Sequence, residues 1–197
     1  MIQLLYTMKT LNTTVKYLLL AMSFAFAIYV IAIENSFDVR WGSVFSAFLL
    51  VFLLDGFTFA TRIKIPPRLK LIWYVFLFFA FFLGIAARFY ELVPHYDKVL
   101  HLMSSFVAMS FAALILDHGK DRLSTPLRIV FLITFAIAIA ALWEIFEFAS
   151  DKIFGTSMQE LIQHGLDDTM WDMIAATVGA IIAVPLFIKK TKWVETT

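Results

Sequence analysis

Residues 143–173 read WEIFEFASDKIFGTSMQELIQHGLDDTMWDM, joining the end of one apolar run to the start of the next. Glu144 and Glu147 lie three residues apart at the end of the first run, and Asp168 and Asp172 lie four apart at the start of the second. Spacings of three and four put side chains on one helix face. Each pair therefore projects its carboxylates together, and the short link returns both pairs to the same membrane side. Ionisable groups inside a membrane span are costly and by default mark a functional site.

Working outward, the chain is an integral membrane protein. Of its 197 residues 61% are hydrophobic and 22 are phenylalanine, with a mean hydropathy of +0.85. Soluble domains are nearer half apolar. A spanning helix needs roughly 20 mostly apolar residues, and six stretches qualify: Val15–Ile33, Gly42–Thr61, Leu71–Ala87, Lys98–Leu116, Leu127–Phe148 and Thr169–Ile188. The expected fold is all-α, a polytopic bundle of about six transmembrane helices forming a single transmembrane domain. The first stretch is too long for a signal-peptide core and reads as a retained span. With no cysteine, disulfides, thiolate metal sites and cysteine nucleophiles are excluded. No Lys/Arg-rich run points to nucleic acid, no glycine-rich phosphate loop is present, and no internal repeat supports an inverted-repeat transporter.

Charge is distributed unevenly between the connections. Lys9, Lys16, Arg62, Lys64, Arg68, Lys70, Lys120, Arg122, Arg128, Lys189, Lys190 and Lys192 fall on one side, twelve of the 16 basic residues. The positive-inside rule puts that side, with both termini, in the cytoplasm. Eleven of the 15 acids fall at the outer half, with His95, His101 and His164. Trp41, Trp143 and Trp171 mark the outer interface, and Trp73 and Trp193 the inner one. Ser124-Thr125-Pro126 reads as a capped helix start. Ser157 and Glu160 have capping-box spacing, so residues 158–164 are expected to form a brief interfacial helix ended by Gly165. Pro185 is placed to kink the last span.

Three spans carry the candidate groups, each continued by a small-residue stripe. Span four presents Asp97, His101, Ser104, Ala108 and Ala112; span five presents Ala136, Ala140, Glu144, Glu147 and, beyond the membrane, Asp151; span six presents Asp168, Asp172, Ala176, Gly179 and Ala183. Small residues let helices approach closely in lipid, so these spans are expected to pack together and share one polar pocket at their outer ends.

Two carboxylates roughly 5 Å apart repel by about 3 kcal/mol at an effective dielectric near 20. Four or five together must hold protons, recruit Lys98 or Arg88, or bind a cation. Carboxylates plus imidazole suit Zn, Mn or Fe better than Ca. Asp97, His101, Glu144, Glu147, Asp168 and Asp172 are therefore the candidate metal ligands, with Glu147 or Asp172 as general base. Structural readings stand beside these. Asp97 and Asp168 begin helices, where capping and the dipole alone favour aspartate. Glu144 and Glu147 have an interfacial alternative, snorkelling to the headgroups. Asp151, Glu160, His95 and His164 read as solvated loop residues. Asp55 reads as a partner for Arg62 or another cytoplasmic base.

These segments resemble a known family. HYDKVLHL at 95–102 is similar to the His/Tyr-Asp-Lys/Arg-x-x-His segment of YjdF-like bacterial inner-membrane proteins. WEIFEF at 143–148 resembles their Glu-x-x-Glu segment, and DDTMWDM at 167–173 with Gly179-Ala180 their Asp-x-x-x-Asp-Met segment and small-residue tail. The resemblance covers residues 95–180 and departs at Gln163-His164-Gly165-Leu166, where the family tends to have Gln-Gly-Asp. A looser similarity to VanZ-like proteins implies the cell envelope by analogy. The resemblance implies a multi-pass bacterial inner-membrane protein but brings no established activity.

Three functions compete. The first is a metal-dependent hydrolase acting on a lipid-linked envelope substrate. The second is a structural or accessory membrane protein, surrounded by lipid, in which the acids hold the bundle together. The third is a proton- or cation-coupled transporter or sensor, disfavoured because spans four to six become largely Ala/Ile/Leu/Val below the site.

Overall fold

The computed structural model describes residues 2–29, 32, 40–119, 123–155, 158–159 and 165–189. Its elements are helical: α1 (Ile2–Tyr29), α2 (Arg40–Thr61), α3 (Pro67–Leu77) continuing as a π-helical stretch (Phe78–Ala86), α4 (Phe89–Leu92), α5 (Tyr96–His118), α6 (Thr125–Phe154) and α7 (Gly165–Phe187). Among the described residues five helices are long and apolar enough to cross a membrane. A shorter apolar stretch, Ser46–Thr61, occupies the second expected span. The protein is an all-α, multi-pass membrane protein.

Element ends differ from the hydropathy reading in three places. Helix α1 begins thirteen residues before Val15, because the polar turn Thr10–Thr14 is tolerated where Thr10 and Thr13 hydroxyls donate to carbonyls four residues back. Helix α6 runs six residues past Phe148 and ends at Gly155, whose φ of 66° suits a residue without Cβ. Helix α7 begins at Gly165, four residues before Thr169. The expected helix over 158–164 and its Ser157/Glu160 capping box lie largely outside the described residues. Pro126 sits in the first turn of α6 as expected, but Ser124 makes no side-chain cap.

The chain forms two compact units, within Met1–Leu92 and Val93–Val194. In the first, Leu19, Val51, Leu54, Leu69, Tyr74 and Leu77 are buried. Polar ties accompany them. Asn12 Nδ2 donates to the Pro67 carbonyl at 2.8 Å, and Trp73 Nε1 to that of Leu50 at 3.0 Å. Asp55 pairs with Lys16 of α1 at 2.5 Å, one of the cytoplasmic bases expected for it, while Arg62 lies over the Phe59 ring. Expected span three is not uniformly α-helical: from Phe78 it widens, and the Ala87 N–H reaches five residues back to Phe82.

In the second unit α5, α6 and α7 pack on one another. Its core is made of small residues, Ala108, Ala112, Ala113, Ala136, Ala180 and Ala183, around Met109, Leu132 and Phe187. Ala108, Ala112, Ala136 and Ala183 belong to the expected stripes, whose Ala140, Ala176 and Gly179 are also buried. Close approach matters because helices in lipid associate through van der Waals contact and hydrogen bonds, not the hydrophobic effect. A Cβ on Gly179 would lie 2.4 Å from the Leu102 carbonyl oxygen of α5, so only glycine permits this spacing. Across the same interface, Ser105 Oγ donates to the Ala176 carbonyl at 2.6 Å. At the far end Arg128 donates to Asp117 and to the Phe187 carbonyl, both at 2.8 Å, and ties all three helices.

Candidate metal centre

The start of α5, the late turns of α6 and the start of α7 meet at one end of the second unit. Asp97, Lys98 and His101 come from α5, Glu144 and Glu147 from α6, and Asp168 and Asp172 from α7. Because α6 runs opposite to its neighbours, Glu144 and Glu147 near its end fall level with acids near the others' beginnings.

Two centres organise the cluster. The first is His101, buried, with Nε2 3.6 Å from Asp97 Oδ1, 3.8 Å from Glu144 Oε1 and 3.7 Å from Asp172 Oδ1. These separations exceed a hydrogen bond. The second is Lys98, whose Nζ donates to Asp97 Oδ2 at 3.2 Å, to Asp172 Oδ2 at 2.8 Å and to Asp168 Oδ1. Asp97 and Asp168 therefore serve Lys98 where simple capping was one expectation. His95, not Asp97, occupies the cap position of α5, in a left-handed conformation with φ 61°.

Burial is severe and incompletely compensated. Asp172 is 0% exposed, and His101, Glu144 and Glu147 are buried, so the glutamates do not snorkel. Among the described residues, Asp172 Oδ1 and both carboxylate oxygens of Glu144 lack a hydrogen-bond partner. The Thr169 hydroxyl and the Gln159 amide lie beside the Glu144 carboxylate. Buried polar groups are nearly always paired, and an unpaired carboxylate is costlier still. One ligand atom each from Asp97, His101 and Asp172 fall within 4.8 Å of one another, a grouping that fits a metal ion. Glu147 stands to one side: its Oε1 accepts from Trp143 Nε1 at 2.7 Å, and it feels the charges of Glu144, Asp97 and Asp172.

Sequence reasoning missed the cover. Asp151, expected in a solvated loop, is buried and accepts the Met158 and Gln159 backbone N–H groups at 2.8 and 3.0 Å. Gln159, also buried, donates from Nε2 to Thr169 Oγ1 at 2.9 Å, linking this turn to α7 beside Glu144. The available signal was Gly155, which ends α6 and lets the chain turn back over its last acid. Arg88 pairs with Glu91 in the first unit. His95 is exposed as expected, and Glu160 and His164 lie outside the described residues.

Comparison with known proteins agrees with this architecture. A family model described as "Predicted membrane protein (DUF2238)" matches residues 15–192, and the chain belongs to that family. It is 33% identical over 147 residues to an uncharacterized protein of Thermotoga maritima, covering 71% of this chain and 74% of that one. No solved structure matches the chain.

Proposed function

We propose that this DUF2238 protein holds a divalent transition-metal ion (Zn, Mn or Fe) among His101, Asp97, Glu144 and Asp172. We further propose that it acts as a hydrolase on a lipid-linked envelope substrate at the outer face of the bacterial inner membrane. The observation that carries the metal reading is the ring of three carboxylate oxygens 3.6–3.8 Å from His101 Nε2. Two ligand bonds of about 2.1 Å span about 3.4 Å at the tetrahedral angle and about 3.6 Å at 120°. The ligand atoms of Asp97, His101 and Asp172 lie within 4.8 Å of one another, too far apart to bond each other yet close enough to share an ion, with Glu144 facing the same histidine. The unpartnered oxygens of Glu144 and Asp172 fit the same reading, since an ion gives them the compensation that the described protein groups do not.

A divalent ion bound there supplies Lewis acidity. Glu147 is suited to move a proton: Trp143 holds its Oε1 and orients the carboxylate, leaving Oε2 to accept. Asp172 is committed to Lys98 and His101, so Glu147 is the better base of the two. The basic residues gathered at the opposite connections support an outer-face site, which suits an amphiphilic substrate. The YjdF-like character of the three motif segments agrees with the family, and the looser VanZ-like similarity supports the envelope as the setting.

The test is metal content by mass spectrometry on detergent-purified protein, with hydrolysis of lipid-linked envelope precursors measured in parallel. His101→Ala is expected to lose the metal. Glu147→Gln is expected to keep the metal and lose hydrolysis. Folded wild-type protein free of metal would sink the reading. A structural role is the alternative, favoured by the way Lys98 joins α5 to Asp168 and Asp172 of α7; folded, metal-free wild type with acid variants that fail to fold would establish it.

A further inference from the structure

Lys98 was anticipated only as one of two bases that the acids could recruit, yet it sits at the middle of them. An ammonium has three protons and no lone pair, and here all three are directed at carboxylates: Asp97 Oδ2, Asp168 Oδ1 and Asp172 Oδ2. It cannot ligate a metal. Two of its partners, Asp97 and Asp172, are also two of the three acids that face His101. The cation on Lys98 and any ion beside His101 are therefore separated by the width of a single carboxylate, and they draw on the same negative charge.

We infer that Lys98 is a tethered internal cation that competes with the divalent ion for Asp97 and Asp172, setting the centre's affinity and making its occupancy reversible. This rests on the metal reading above. Two opposing effects meet at Lys98, and their sizes decide the sign. By pinning the Oδ2 atoms it orients the Oδ1 atoms toward His101, and loss of such orienting partners typically weakens metal binding about 10- to 100-fold. Against that, its full positive charge repels a divalent ion across one carboxylate, with only 24% of its side chain exposed and so with little water to screen it. The repulsion acts on a double charge at short range and is the larger effect. Removing the charge is expected to tighten binding, where loss of a merely orienting residue would weaken it. The third partner, Asp168, offsets Lys98 without facing His101 among the described ion pairs, so neutralising it leaves the competitor stronger.

The experiment titrates Co²⁺ into the full chain in detergent, reading affinity and the cobalt absorption spectrum, for wild type, Lys98→Met and Asp168→Asn. Lys98→Met is expected to bind Co²⁺ at least tenfold more tightly than wild type. Asp168→Asn is expected to bind it severalfold more weakly with an unchanged spectrum. Unchanged or weaker binding in Lys98→Met, beside a wild type that binds, would overturn the competition and leave the metal site standing. Should Lys98→Met not fold, Asp168→Asn decides, and an unchanged affinity there overturns the inference. If neither wild type nor Lys98→Met binds Co²⁺, the metal reading falls and this one with it.

Discussion

Asp97 of α5 and Asp172 of α7 divide their oxygens in the same way: each gives Oδ2 to Lys98 and turns Oδ1 toward His101. The two acids thus join the lysine to the histidine, and each is needed on both sides. Asp172 is the stricter case because it is 0% exposed and cannot exchange either partner for water. Asp172→Asn keeps the shape and is expected to lower Co²⁺ affinity more than tenfold. Asp172→Ala also leaves Lys98 short of a buried counter-charge, and is expected to destabilise the protein by on the order of 3 kcal/mol. Unfolding curves in detergent beside cobalt titrations check both.

Gly179 sets the distance at which α5 and α7 can hold that arrangement. Its missing Cβ would fall 2.4 Å from the Leu102 carbonyl oxygen, a backbone atom that cannot move aside alone. Gly179→Ala is expected to force the helices apart and cost about 1–3 kcal/mol. Because Lys98 reaches across the same interface, Co²⁺ affinity is expected to change with stability. A Gly179→Ala protein with wild-type unfolding would contradict the close approach.

The opposite end of the unit provides a control. Arg128 Nη1 donates to the nearly unexposed Asp117, and its Nε to the Phe187 carbonyl. Arg128→Met removes both charge-assisted bonds and is expected to lower stability by about 2–3 kcal/mol. The folded fraction is expected to bind Co²⁺ as wild type does, since none of these groups touches the acid cluster. A large affinity change would mean that the two ends are coupled.

Much of this was legible in the chain because two signals are strong in lipid. Apolar length identifies the helices, and the spacing of Glu144 with Glu147 and of Asp168 with Asp172 identifies shared faces. The alanine stripes through Ala108, Ala136 and Ala176 then named the packing surfaces correctly. What the one-dimensional pattern lacked was choice among partners. Lys98 and Arg88 have equal claims as basic residues near the acids, and only the three-dimensional placement of α7 beside Lys98 separates them. Asp55 was expected to meet Arg62 or another cytoplasmic base, and the fold selects Lys16 among them. Asp151 looked like loop because hydropathy ends α6 too early, whereas helix formation continues until Gly155. Gln159 carried no signal at all, being a common polar residue whose burial depends on the path of the returning turn.

The lysine and its acids are far apart in the order of synthesis: Asp168 and Asp172 follow Lys98 by 70 and 74 residues. At about 5–20 residues per second, α5 exists for roughly 4–15 s before α7 has been made. During that interval Lys98 enters a lipid environment with Asp97 beside it but without the two acids that later hold it. Arrival of the last helix therefore does more than complete the bundle. It brings Lys98 two of its three counter-charges, so a product truncated before α7 is expected to keep this lysine paired with Asp97 alone.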